Sequence, residues 1–239
     1  MLVAAGAIFA AIAFDVTHHG PLDRLDARVA RWAAAGHESV ESVASVVTRL
    51  GSMAVLAPLV LVAAAVLARR RRRTDAALLV ASLGVTSLTT NLLKLAFGRP
   101  RPQPALVDNP AFPSGHTSGA VVVFVLLAAL LATGRRSLVV AAAVLLAGVV
   151  AATRILVEAH WLSDVLAGYC LGLAIVAGVL LLRDRLSADV RIGRRTGPEA
   201  QDEAGDCGHE EREGAGGSLA EHRAHDLVAV DDLVKPERG

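Results

Sequence analysis

Residues 113–136 read PSGHTSGAVVVFVLLAALLATGRR. From Thr117 to Thr133 the stretch has no charge and no polar face, and two arginines close it after Gly134. A soluble amphipathic helix keeps one face polar. A strand would be shorter and would alternate with period two. The reading is a helix in a bilayer, whose core takes about 20 apolar residues, with a soluble all-α protein of very apolar, buried helices as the alternative. Working outward, five further apolar runs occupy roughly residues 2–16, 50–68, 76–97, 137–153 and 162–182. The expectation is an all-α fold: a six-transmembrane-helix bundle over residues 1–186, followed by a disordered C-terminal tail over 187–239. The tail is rich in Gly, Glu, Asp and Arg with few large apolar residues, which is the composition of disorder.

Of the 239 residues, 54% are hydrophobic and only 3% aromatic, and the net charge of +1 hides a segregation of charge along the chain. Five consecutive arginines fill residues 69–73, Arg135 and Arg136 lie between the fourth and fifth runs, and Arg183 and Arg185 follow the sixth. With six spans these sites share one face, which the positive-inside rule makes cytoplasmic. The arginine run is a topology anchor, and no aromatic or groove-reading element accompanies it to suggest nucleic acid. Cys170 sits in an apolar run and Cys207 in the tail, so no disulfide framework is implied. The first run is short, without a charged n-region before it. It reads as a span whose natural start lies upstream, or as a cleaved leader. Between residues 17 and 49, Leu22, Leu25, Val29 and Trp32 recur at helical spacing against Asp23, Arg24, Arg28 and Arg31. This is either an interfacial amphipathic helix on the outer leaflet or a solvated helix packed over the bundle.

Three polar islands border the runs on the opposite, non-cytoplasmic face: KLAFGRPRP (94–102), PSGH (113–116) and TRILVEAHWLSD (153–164). Arginines there break the positive-inside bias, and an anionic ligand would explain them. Arg101 offers bidentate contacts to phosphate oxygens and Lys94 a compact charge, although both could simply snorkel. Arg99 either assists or faces headgroups. In PSGH, Ser114 suits an N-cap, Gly115 admits close approach, and the helix start directs N–H groups at an anion. His116 beside it could protonate a leaving alkoxide. His160 and Asp164, four apart, fall on one face of a helix. The carboxylate can then hold one ring nitrogen and leave the other as a nucleophile or base. Taken alone that pair is also an ordinary mutual satisfaction at a helix start. Arg154 upstream turns it toward phosphoryl transfer. Glu158 and Asp108 are the other nearby carboxylates, and neither has ligand spacing for a metal.

The order Lys-x6-Arg-Pro, Pro-Ser-Gly-His, Arg-x5-His-x3-Asp resembles the type 2 phosphatidic acid phosphatase superfamily, which includes lipid phosphate phosphatases, undecaprenyl pyrophosphate phosphatases and vanadium haloperoxidases. The resemblance spans roughly residues 50–182. It implies that Lys94, Arg101 and Arg154 hold phosphate oxygens, with Ser114 and Gly115 donating hydrogen bonds. His116 would be the general acid, His160 the nucleophile that becomes phosphohistidine, and Asp164 its orienting partner. No metal or other cofactor is needed in that scheme. Thr153 replaces the usual serine before the third-motif arginine and keeps the hydroxyl. The short interval from Pro102 to Pro113 implies a compact outer loop.

The expected protein is thus a multi-pass enzyme of the cell (inner) membrane, with its site on the non-cytoplasmic face. It would hydrolyse a lipid phosphate or diphosphate monoester such as undecaprenyl diphosphate or phosphatidylglycerophosphate. A haloperoxidase-like enzyme and a non-catalytic lipid-binding or transport protein are the alternatives. The partners implied are the bilayer and the lipid phosphate, and the motifs do not fix headgroup or oligomeric state.

Overall fold

The computed structural model describes residues 1–35, 38–103 and 109–195. All regular structure among them is helical: α1 (Leu2–Thr17), α2 (Pro21–Ala34), α3 (Glu38–Val47), a 3-10 turn (Thr48–Gly51), α4 (Met53–Arg69), α5 (Arg73–Phe97), α6 (Gly115–Leu131), α7 (Arg136–Leu156) and α8 (Leu162–Arg195). Each expected apolar run forms a helix. By length and composition α5, α7 and α8 qualify as spans directly. Two more arise if bent pairs count as one span each, α1 with α2 (84° bend) and α3 plus the 3-10 turn with α4 (42°), while α6 is a shorter apolar helix. The protein is a multi-pass membrane bundle. α8 outlasts the sixth apolar run. The tail expected from residue 187 is still helical to Arg195, since extending a formed helix costs little per residue. Residues 196–239 lie outside the described residues. Met1–Arg185 forms one compact unit.

α6 shows why the stretch from Thr117 has no polar face. Val121, Val122, Val123 and Leu126 are all fully buried on it, packed with Leu56 and Val60 of α4, Leu79 and Leu83 of α5, Ala147 and Val150 of α7 and Val176 of α8. A helix surrounded on all sides needs no polar face. Between membrane helices close packing replaces the hydrophobic drive, and small residues permit it. On α8, Gly168 and Gly172 form a small-xxx-small pair. A Cβ at Gly172 would sit 2.7 Å from Val121, and one at Gly168 only 2.6 Å from the Ser114 carbonyl oxygen.

The arginine clusters gather at one end. Arg72 donates to Asp75 (2.7 Å) and to the Leu130 carbonyl (2.7 Å), and Arg183 donates to Asp75 (2.6 Å). Lys94 is nineteen residues along α5 from Asp75, about 28 Å at 1.5 Å per residue. The charged end and the polar islands therefore stand about one hydrocarbon thickness apart.

α2 lies across the island end. At its corner with α1, the Asp15 carboxylate accepts the Leu22 N–H (3.0 Å), satisfying one orphan donor of the new helix. The face α2 turns inward carries Leu22, Asp26 and Ala33, of which Asp26 and Ala33 are buried, whereas Leu25 and Trp32 remain exposed. The helix packs over the bundle and still presents Leu25 and Trp32 outward.

Candidate active site

The three islands converge because each is fixed by the element beside it. α5 ends at Gly98, whose left-handed backbone (φ +58°) suits glycine, and the chain turns to bring Arg99 and Arg101 back over the helix end. PSGH is seated by Phe112, which is fully buried against Phe97 (centroids 4.7 Å) and Phe9 (5.9 Å). The Phe112–Pro113 peptide is cis, and the Ser114 N–H donates to the Asp164 carbonyl (3.0 Å). That bond joins the second island to the third. After α7, the chain folds back so that the N–H groups of Ala159 and His160 both donate to the Arg154 carbonyl (3.1 and 3.2 Å).

The histidine–aspartate pair differs from its expected geometry. His160 is not on a helix. It precedes α8, and Asp164 lies in the first turn of that helix. Asp164 Oδ2 accepts the Trp161 N–H (2.9 Å), in the manner of a capping box. The same oxygen lies 3.5 Å from His160 Nδ1, too long for a good hydrogen bond. Among the described residues His160 Nδ1 has no other partner, and it is buried. The other ring nitrogen, Nε2, lies 3.4 Å from an Arg101 guanidinium nitrogen. Burial above all, with Arg154 and Arg101 adding to it and Asp164 opposing, lowers the His160 pKa to about 4. The ring is therefore neutral near pH 7, as a nitrogen nucleophile must be.

The cations are held by neutral groups. Lys94 Nζ donates to the Pro110 carbonyl (2.8 Å). Arg101 donates to the carbonyls of Ala159 (2.6 Å) and Asn109 (2.9 Å), and burial lowers its pKa against the pull of Asp164. Arg154 donates to Thr48 Oγ1 (3.0 Å), and its Nε is buried without a partner. Three cations converge, and among the described residues Asp164 is the carboxylate whose charge reaches Lys94 and Arg101. A buried guanidinium nitrogen without an acceptor is costly, and an anion would satisfy it. The charges of Arg154, His160, Lys94 and Arg101 all reach His116. Gly115, His116, Lys94 and Asn109 line one cavity of about 240 Å³, with Gly51, Thr90 and Gly119 on its walls. A Cβ at Gly115 would meet only Thr90 at 3.4 Å, so the protein leaves that space open.

Two expected positions behave differently. Ser114 is the N-cap residue of α6 but makes no side-chain cap bond. It is fully buried and its hydroxyl accepts from Thr117 Oγ1 (3.0 Å). The Thr153 hydroxyl donates within its own helix to the Val150 carbonyl (2.7 Å). Sequence reasoning missed Thr48 and Gly51, whose 3-10 turn closes over Arg154 and His116; a Cβ at Gly51 would lie 2.9 Å from the His116 carbonyl. It also missed Asp26. That residue occupies the apolar face of α2 four positions after Leu22, which was a legible signal. Among the described residues no cluster of three or more His, Cys, Asp or Glu could hold a metal.

One consequence is a packing test. Gly168→Val should separate α8 from Ser114, break the Ser114–Asp164 link and cost ~1–3 kcal/mol of stability. Gly168→Ala, Gly168→Val and wild type, compared by thermal denaturation in detergent and by turnover, should fall in order of side-chain volume. Unchanged turnover in the valine variant would contradict this account.

At one end of the bundle Lys94, Arg101, Arg154, His116, His160 and Asp164 converge, the inventory of a membrane phosphatase site. Residues 75–187 match the PAP2 superfamily, the family that the three motifs resemble. The chain is 29% identical over 136 residues to phosphatidylglycerophosphatase B of Bacillus subtilis (strain 168), covering 53% of this chain and 67% of the relative. The crystal structure of a transmembrane PAP2-type phosphatidylglycerolphosphate phosphatase from Bacillus subtilis superposes with a TM-score of 0.71 at 26% identity, covering 77% of this chain and 96% of that one. The fold is shared as well with Aquifex aeolicus LpxE, at a TM-score of 0.53 and 24% identity over 65% of this chain and 94% of that one.

Proposed function

We propose that this enzyme hydrolyses a lipid phosphate or diphosphate monoester at the outer leaflet through a phosphohistidine intermediate, with residues 1–186 as the catalytic unit and 187–239 as an appended cytoplasmic tail. The observation that carries this reading is the partnerless Arg154 Nε beside Lys94, Arg101 and the buried His160. In the proposed scheme Lys94, Arg101, Arg154 and the open backbone at Gly115 hold the phosphoryl oxygens. His160 carries its proton on Nδ1 toward Asp164 and attacks phosphorus through Nε2. As the N–P bond forms, the P–O bond to the lipid breaks. His116, held neutral by burial and the surrounding cations and protonated once the phosphate's negative charge is bound beside it, gives its proton to the leaving oxygen. Water then attacks phosphorus, His116 takes its proton, and inorganic phosphate leaves with His160 neutral again. Catalysis here is positioning and charge stabilisation, which the cations supply.

The names of the Bacillus subtilis relatives make phosphatidylglycerophosphate the first substrate to test, with undecaprenyl diphosphate second. Purified protein should release phosphate from at least one of these lipids with EDTA present, and vanadate should compete, because it adopts the five-coordinate geometry of phosphorus under attack. Activity lost in EDTA, restored by Mg²⁺ and indifferent to vanadate would contradict the scheme. The proposed face rests on the arginine clusters. A single cysteine at Asn109, in a background lacking Cys170 and Cys207, should react with an impermeant reagent in intact cells, whereas labelling of a cysteine at Gly197 instead would reverse the topology.

A further inference from the structure

Asp26 is 2% exposed on a helix that otherwise lies at the edge of the bundle. A buried carboxylate is tolerated only when its oxygens are bonded, and every partner Asp26 has leads to the residue pair Ser163–Asp164. Its Oδ1 accepts the Ser163 N–H (2.9 Å). Its Oδ2 accepts the Ser163 hydroxyl (2.5 Å) and an Arg99 N–H (2.7 Å). The same guanidinium donates to Asp164 Oδ1 (2.6 Å) and to Ser163 Oγ (2.6 Å). Arg99 also stands over the Trp161 ring (5.6 Å) and reaches the half-exposed Asp23 (3.4 Å). Burial works against the Arg99 charge, but Asp164 and Asp26 outweigh it and raise its pKa. Unlike Arg101 and Arg154, Arg99 is occupied by carboxylates and is not free for a ligand.

We propose that Asp26 is a positioning residue: through Arg99 and Ser163 it fixes the Asp164 carboxylate that orients His160, and so ties the surface helix α2 to the chemistry. The proposal rests on His160 being the nucleophile. Two physical effects support it. With Oδ1 gripped by Arg99, the Asp164 carboxylate cannot rotate, and Oδ2 stays aimed at Trp161 N–H and His160 Nδ1. The second effect is charge. Arg99 paired with Asp164 alone would be neutral, one positive against one negative, and would draw the carboxylate's charge away from the histidine. Asp26 adds a buried negative charge beside the longer, half-exposed contact of Asp23 (3.4 Å), so the cluster faces His160 with a net negative charge. The other charged or titratable groups around His160 are Arg101 from the loop after α5, Arg154 of α7, His116 of α6 and Lys94 of α5.

A carboxylate that merely docked α2 would lower the amount of folded enzyme without changing its kinetics, so the test is kinetic. Asp26→Asn, Asp26→Glu, Asp164→Asn and the Asp26→Asn/Asp164→Asn double variant are compared with wild type in detergent, using short-chain phosphatidylglycerophosphate. Asp26→Asn should lower kcat by ~10–100-fold and leave KM within ~2-fold. The acid limb of kcat/KM should move to lower pH, because one negative charge fewer makes the imidazolium harder to form; the substrate's own ionisation cancels between enzymes. Asp26→Glu should restore part of kcat. In the Asp164→Asn background, Asp26→Asn should cost no more than ~2-fold. Should Asp26→Asn fail to fold, Ser163→Ala removes one arm of the brace and carries the same comparison. Losses that multiply in the double variant, or a uniform drop with an unmoved acid limb, would overturn the brace. Inversion of configuration at phosphorus in wild type would fail the phosphohistidine reading beneath it, and retention with multiplying losses would fail the brace alone.

Discussion

His160→Ala is expected to reduce phosphate release by at least ~10³-fold, since removing one member of a group that acts in concert disables the whole. The protein should still fold. His160 is buried, but its ring nitrogens make only the 3.5 Å approach to Asp164 and the 3.4 Å approach to Arg101. Its place in the chain is held by backbone instead, through its N–H to the Arg154 carbonyl and the Ala159 carbonyl accepting from Arg101. Substrate binding should survive, because Lys94, Arg101 and Arg154 are untouched. The variant is therefore checked by turnover and by binding of inorganic phosphate together. Turnover near wild type would remove His160 from the mechanism.

His116→Ala is the second large effect, ~10²–10³-fold with a lipid alkoxide as leaving group. Here the size of the loss should depend on the substrate. An acid is needed only when the departing oxygen is basic, so a phenolic phosphate with a low leaving-group pKa should lose far less. His116 sits on the second residue of α6, on the wall of the cavity shared with Lys94 and Gly115, and its carbonyl is packed under Gly51. Alanine keeps that backbone contact. Equal losses with good and poor leaving groups would assign His116 to binding and not to proton transfer.

Much of this architecture could be read from the chain because membrane helices declare themselves by length and by uniform apolarity. Thr117–Thr133 lacked a polar face because α6 is enclosed by α4, α5, α7 and α8. The polar islands were legible for the complementary reason: charges at the ends of apolar runs need a purpose. What the chain did not disclose depended on contacts between distant segments. His160 and Asp164 looked like one helical face, but the chain folds back beneath α7 before α8 begins, and Asp164 is placed by capping Trp161. Arg99 reads from sequence as either an assistant at the phosphate or a headgroup contact, whereas Asp26, more than seventy residues away, holds it. Phe112 anchors PSGH through Phe9 and Phe97, a cluster that no local periodicity announces. Gly168 and Gly172 carry a small-xxx-small spacing, but only the approach to Ser114 and Val121 tells what it serves.

The central claim is covalent attack by His160 on phosphorus. The stereochemical course at phosphorus tests it most directly, using a lipid substrate whose transferred phosphoryl group is made chiral with sulfur and oxygen isotopes and hydrolysed in isotopically distinct water. Two successive in-line displacements, first by His160 and then by water, predict net retention of configuration. Net inversion would mean a single displacement by water and would contradict the account.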